Sequence, residues 1–208
     1  MSFPHARMRS HGEPPIRRGR GRRPADEVRA DVLTAAGVLL LRDGMAAFTI
    51  ERVAQEAGVS KTTIHKWWSS RGTLALDGYF HAVESTLAFP DTGDIGADLT
   101  AQLRAFVRLL TGTPAGRVIA GLVGQAQTDP DLSAALRQRY SDPRRELAVA
   151  AMRRAQDRGR LRADADPQTL VDQLWGACYH RLLLPGEPLT EHFADRLVAN
   201  LLHGVGTG

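Results

Sequence analysis

Between Lys61 and Lys66 every polar side chain either donates a hydrogen bond or carries positive charge: Lys61, Thr62, Thr63, His65 and Lys66, with no acid among them. Lys61 and Lys66 are the only two lysines in the chain. Donors and cations at this density suit the edges of bases in the major groove and the phosphates beside them. The plainer reading is a solvated face of an ordinary amphipathic helix pair, which any helical protein can show.

The flanking residues say how such a face would be held. Ile50, Val53, Ala54 and Ala57 recur at i, i+3, i+4 and i+7, one apolar face of a short helix. Thr49 stands at its N-cap, with Phe48 placed to staple onto Val53. Gly58 ends that helix, because glycine enters the left-handed region without a steric cost. Ser60 caps a second helix, with Val59 and Ile64 as a second staple. At about 100° per residue Trp68 shares the inward face of Ile64, so Thr62 and Lys66 project outward with Thr63 and His65 beside them. Two short helices about a glycine turn read as helix-turn-helix.

These residues carry a family resemblance. Residues 26 to 88, and above all the run from Phe48 through Trp68 with Ser70-Arg71 after it, resemble the DNA-binding domain of TetR-family transcriptional regulators. Trp67 and Trp68 stand where tyrosine and phenylalanine are more usual, His65 replaces a usual tyrosine, and Ser69 a frequent proline. The resemblance implies base or groove contacts from Lys61, Thr62, Thr63 and Lys66, and positioning on phosphates by Thr49, His65, Trp67 and Arg71. Arg71 would meet a phosphate at the start of the next helix, where free backbone N–H groups add to its charge.

Composition sets the frame. With 43% hydrophobic and 24% charged residues the chain has ordinary globular content and enough length for a substantial core. A single cysteine leaves no disulfide framework or cysteine-based zinc site, which fits a reducing cytoplasm. No apolar run is long enough to span a bilayer, and the basic N-terminus lacks the apolar stretch of a secretory signal, so no membrane partner is expected. Residues 1–24 hold seven arginines against Glu13, a charge of +6 in a chain whose total is +4. The remainder is therefore slightly acidic, and the basicity of the chain belongs to this arm. Rich in Pro, Gly and Arg, the arm is predicted to be disordered, either as a plain leader or as an arm that follows the phosphate backbone or enters the minor groove beside the helix-turn-helix.

The rest of the sequence predicts an all-α protein: a three-helix DNA-binding unit over 25–88, then a helical effector-binding and dimerisation unit over 95–205. Helix 1 should run from Asp26 to Arg42 and stop at Asp43-Gly44, and Ser70 should cap a helix reaching Ala88. Past the breaker-rich stretch 89–96, helical segments are expected at 97–111, 115–127, 130–158, 167–184 and 188–203, with Pro143 kinking the third near Asp142. The pattern around Arg158-Gly-Arg-Leu-Arg162 and Ala165-Asp-Pro167 resembles, more loosely, a C-terminal domain of TetR-type regulators.

Two apolar stripes, Leu170, Leu174, Cys178, Leu182 and Phe193, Leu197, Leu201, are either intramolecular core or a dimer surface. The resemblance favours a homodimer through the last two helices, reading a palindromic operator in double-stranded DNA at faces roughly 34–36 Å apart. It also implies a small-molecule effector between C-terminal helices. Phe106, Leu109, Leu122, Met152, Trp175 and Tyr179 are large inward residues that could line its pocket or simply fill core. Cys178 and His180 diverge by about 200° on a helix and cannot share a metal. No phosphate loop, zinc-protease or nucleophile-elbow pattern occurs, so no catalytic residue, metal or cofactor is assigned. The expected function is that of a DNA-binding transcriptional regulator, a repressor released by an effector. The alternatives are a helical small-molecule-binding protein with an idle helix-turn-helix, and a sequence-indifferent DNA binder acting through the arginine arm.

Overall fold

The protein is described by a computed structural model over residues 23–87, 89–184 and 186–204. Most of the arginine arm, residues 1–22, lies outside the described residues. Among the described residues every regular element is helical. Helix α1 (Ala25–Ala47) buries Val32, Ala35, Ala36, Leu39 and Leu40, and its helical geometry breaks at Gly44, where φ is 75°. Then follow α2 (Ile50–Glu56), α3 (Lys61–His65) and α4 (Arg71–Val83), the last running into a 3-10 turn over Glu84–Leu87.

Helices α1 and α4 form the frame of this half. Their contact is close because Gly37 and Gly78 face each other across it. A Cβ on Gly78 would lie 2.6 Å from the Ala36 Cβ, and one on Gly37 would lie 2.8 Å from the Gly78 carbonyl oxygen. The two backbones touch only because both positions lack a side chain.

The second half comprises α5 (Ile95–Gly112), α6 (Ala115–Ala126), α7 (Pro130–Leu136), α8 (Asp142–Asp157), α9 (Pro167–Val171), α10 (Ala177–Leu183) and α11 (Glu191–His203). Helix α6 packs against both α1 and α4, and α7 against α4, so one continuous apolar core joins the two halves. Two paired ions hold α11 to α5: Arg104 donates twice to Asp195, at 2.6 and 2.8 Å, and Arg108 donates to Glu191 at 2.8 Å. No single helix among the described residues is long and apolar enough to cross a membrane; α5 and α6 pass only as a pair, bent by 88°.

Two π-turns interrupt the later helices. Arg137–Ser141 joins α7 to α8, and Asp172–Gly176 joins α9 to α10. In the first, the Asp142 N–H reaches back five residues to the Arg137 carbonyl. Pro143 explains it: proline has no N–H to offer, and its ring collides with the carbonyl four residues earlier. The interruption predicted near Asp142 is thus a widened turn, and the rod continues to Asp157.

Candidate nucleic-acid interface

Local hydrogen bonds fix the helix-turn-helix. Thr49 Oγ1 accepts the Arg52 N–H at 3.2 Å, Ser60 Oγ accepts the Thr63 N–H at 3.1 Å, and Gly58 turns the chain with φ 64°. Ile64 and Trp68 are buried beneath α3, as their shared face requires. Trp68 is held from two sides. The Arg29 guanidinium lies 5.6 Å from its ring centroid, and its indole N–H donates to Asp77 Oδ2 at 2.8 Å.

Above that base, Lys61, Thr62, His65 and Lys66 are exposed. Thr49, Lys61, Thr62, His65 and Arg71 surround one concavity, together with Ile50 and Glu51. Two predicted members are placed differently. Thr63 is half-buried and its hydroxyl lies 2.9 Å from Ser60 Oγ, so it completes the cap. Trp67 is half-buried, edge-on to Trp68 at 5.7 Å, and shares a groove with Arg29, Leu33 and Phe80. The face is also less acid-free than α3 alone indicates, because Glu51 of α2 reaches across to Lys61 Nζ at 3.0 Å. Both partners are more than half exposed, so the pair contributes little and Lys61 remains available to a phosphate. Lys61 holds the Glu51 carboxyl below its ordinary value. At the start of α4, Ser70 and Thr73 form a reciprocal cap, and Arg71 stands exposed on the first turn.

Beneath this surface Asp77 accepts a second bond, from Arg139 Nη1 at 2.9 Å. Arg139 belongs to the first π-turn. Its neighbour Tyr140 stacks on Phe80 of α4 with centroids 4.2 Å apart and 22° between planes. The Tyr140 hydroxyl meets that of Tyr179 at 3.0 Å. These tyrosines wall a cavity of about 220 Å³ between α5, α8, α10 and both π-turns. Burial pushes both phenols above their ordinary pKa, Tyr179 well above, so they stay protonated.

Three residues expected to line an effector pocket, Phe106, Trp175 and Tyr179, do line this cavity. Leu109, Leu122 and Met152 do not; they are buried core elsewhere, because each sits on a face turned to neighbouring helices. Sequence reasoning passed over Tyr140, Arg144 and Gln102. A polar Gln102 on the same buried face as Leu99, Leu103 and Phe106 was the available signal. Of the expected dimer residues, Leu174 and Cys178 are corrected to intramolecular core: they are 1% and 0% exposed within their own subunit. Burial raises the Cys178 thiol to about 12. Leu170, Leu182, Phe193, Leu197 and Leu201 are half-buried, and the Arg181 guanidinium covers the Phe193 ring at 3.6 Å.

Residues 32–77 match the family described as bacterial regulatory proteins, tetR family, and residues 89–201 match the tetracyclin repressor-like, C-terminal domain. The chain is 34% identical over 184 residues to the HTH-type transcriptional regulator YdeS of Bacillus subtilis, covering 88% of this chain and 92% of that one. It is 34% identical over 176 residues to the DNA-binding transcriptional repressor TetR of Mycobacteroides abscessus, covering 83% and 90%. Among solved structures, the TetR family transcription regulator SCO0332 superposes with a TM-score of 0.82 at 62% identity, over 86% of this chain and 99% of that chain.

Proposed function

The chain belongs to the tetR family of bacterial regulatory proteins and is a helix-turn-helix DNA-binding transcriptional regulator, and from that premise we propose that it is a dimeric repressor released from its operator by a small molecule. In this reading residues 25–88 bind DNA and residues 95–205 bind the effector and pair the subunits. Thr62 and Lys66 read base edges, while Thr49, Lys61, His65 and Arg71 grip phosphates. Thr63 supports the cap of α3, and Trp67 supports its far end. The half-buried leucines of α10 and α11, Leu182, Leu197 and Leu201, supply the dimer surface together with Leu170 and Phe193.

One observation supports release by a ligand above the rest. The π-turn Arg137–Ser141 gives Tyr140 to the cavity and Arg139 to Asp77, the carboxylate that anchors Trp68 under α3. A molecule that displaces Tyr140 must also disturb Phe80 and Asp77, both on α4. Coupling of this kind is commonly about 5–150-fold in affinity. Ala148 is buried at the cavity wall, so Ala148→Phe mimics occupancy.

The test is fluorescence anisotropy of the full chain on a duplex from the region upstream of its own coding sequence, against a scrambled duplex. Ala148→Phe should weaken specific binding at least about fivefold, and Arg139→Ala added to it should reduce that loss. An Ala148→Phe protein that melts like the parent and binds the operator equally well would sink release through this cavity.

A further inference from the structure

Resting on the effector reading above, we infer that the cavity takes a small aromatic anion, a one- or two-ring arene bearing a carboxylate, and rejects aromatic cations of the same shape. Three independent features of the lining lead there.

Size comes first. About 220 Å³ exceeds a cavity of about 150 Å³ that accommodates benzene, and falls short of the roughly 300 Å³ at which drug-sized pockets begin. The walls come second. Phe106 and Tyr179 meet edge to face at 5.6 Å, and Phe89 and Trp175 lie 6.4 Å apart, so flat rings face the space from several directions. Such walls alone would also suit a quaternary ammonium, the usual guest of an aromatic cage.

Charge separates the two. The cavity is lined by Arg144, Arg145 and one carboxylate, Asp172. Asp172 is already committed to Arg145, which donates through both Nη atoms and also bonds Gln168. Arg144 makes no ion pair among the described residues; its guanidinium lies over the rings of Tyr140 at 4.8 Å and Phe80 at 5.8 Å. The lining therefore carries an uncompensated positive charge. Its hydrogen-bonding surplus has the same sense. A guanidinium has only donors, and in the Tyr140–Tyr179 pair one O–H serves the pair while the other remains to donate. Gln102 and Ser141, also in the lining, can donate or accept, so the surplus donors of Arg144 and the tyrosine pair favour a guest that brings acceptors, and a carboxylate brings the strongest. Arg144 also borders the groove toward α4, so a carboxylate that draws it inward would pull on the stack with Phe80.

The experiment is calorimetric titration of the full chain with three probes of one shape: 2-naphthoate, 2-naphthamide and 2-naphthyltrimethylammonium. Binding is measured without DNA, so it is read apart from operator release. Naphthoate should bind at least about tenfold more tightly than the cation, the lower end of a charge-assisted hydrogen bond. Arg144→Met should erase that preference and Arg144→Lys should keep it, with melting curves confirming that both variants fold. Equal or tighter binding of the cation, no binding by any probe, or a preference that survives Arg144→Met would each overturn the assignment. Effector release would still be decided by Ala148→Phe, which needs no ligand.

Discussion

At the scale of single residues, α3 is held in place by local signals: a cap at Thr49, a turn at Gly58, a cap at Ser60, and a period that puts Ile64 and Trp68 inside. What was not legible came from residues distant in sequence. Nothing near Lys61 announces Glu51, and nothing near Trp68 announces that Asp77 will accept its indole N–H. Leu174 and Cys178 fall on a regular apolar stripe, and periodicity cannot say whether a stripe faces its own subunit or another. Tyr79 offers a direct test of the core. Its ring is fully buried, its hydroxyl has no hydrogen-bond partner among the described residues, and burial raises its pKa. Tyr79→Phe removes that stranded hydroxyl and keeps the ring, so urea titration should show stability unchanged or raised by about 1 kcal/mol. A loss of that size would mean the hydroxyl is bonded after all.

Among the elements, the helices themselves followed from the breakers: α7 and α9 begin at Pro130 and Pro167 as expected, capped by Asp129 and Asp166, whereas α5 and α11 begin at Ile95 and Glu191, where Asp94 and Thr190 supply side-chain caps, and not at 97 and 188. The first π-turn had a cause in Pro143; the second, Asp172–Gly176, has no comparable marker in the sequence. Equally hidden was the glycine contact between α1 and α4, since Gly37 and Gly78 become informative only once the helices are seen to cross there. Gly78→Ala drives a methyl against Ala36 and the Gly37 nitrogen. We expect a loss of about 1–3 kcal/mol, the usual range for overpacking, measured by denaturant titration. An unchanged midpoint would show that α1 and α4 can separate freely.

For the whole molecule, several ion pairs tie helices together, and their titration makes stability depend on pH. Arg104 holds Asp195 below its ordinary pKa, Arg145 does the same to Asp172, and Arg42 with Arg52 lowers Asp43 to about 2. A carboxylate depressed by folding contributes stability that is fully present above its unfolded value and lost as pH falls through its folded value. The melting midpoint should therefore hold between pH 7 and about pH 5, fall below about pH 4, and keep falling toward pH 2. Asp195→Asn should shallow that decline, and an identical acid limb would remove the α5–α11 pair from the account. The global claim is that α3 presents Thr62 and Lys66 to a duplex while Ile64 and Trp68 anchor it from below. Its most direct test is anisotropy of Thr62→Ala and Lys66→Ala on the upstream duplex and on single-base variants of it. Each substitution should cost about 1–3 kcal/mol of operator binding and relax selectivity at one position in each half-site. Two variants that fold, keep full affinity and keep full selectivity would contradict it.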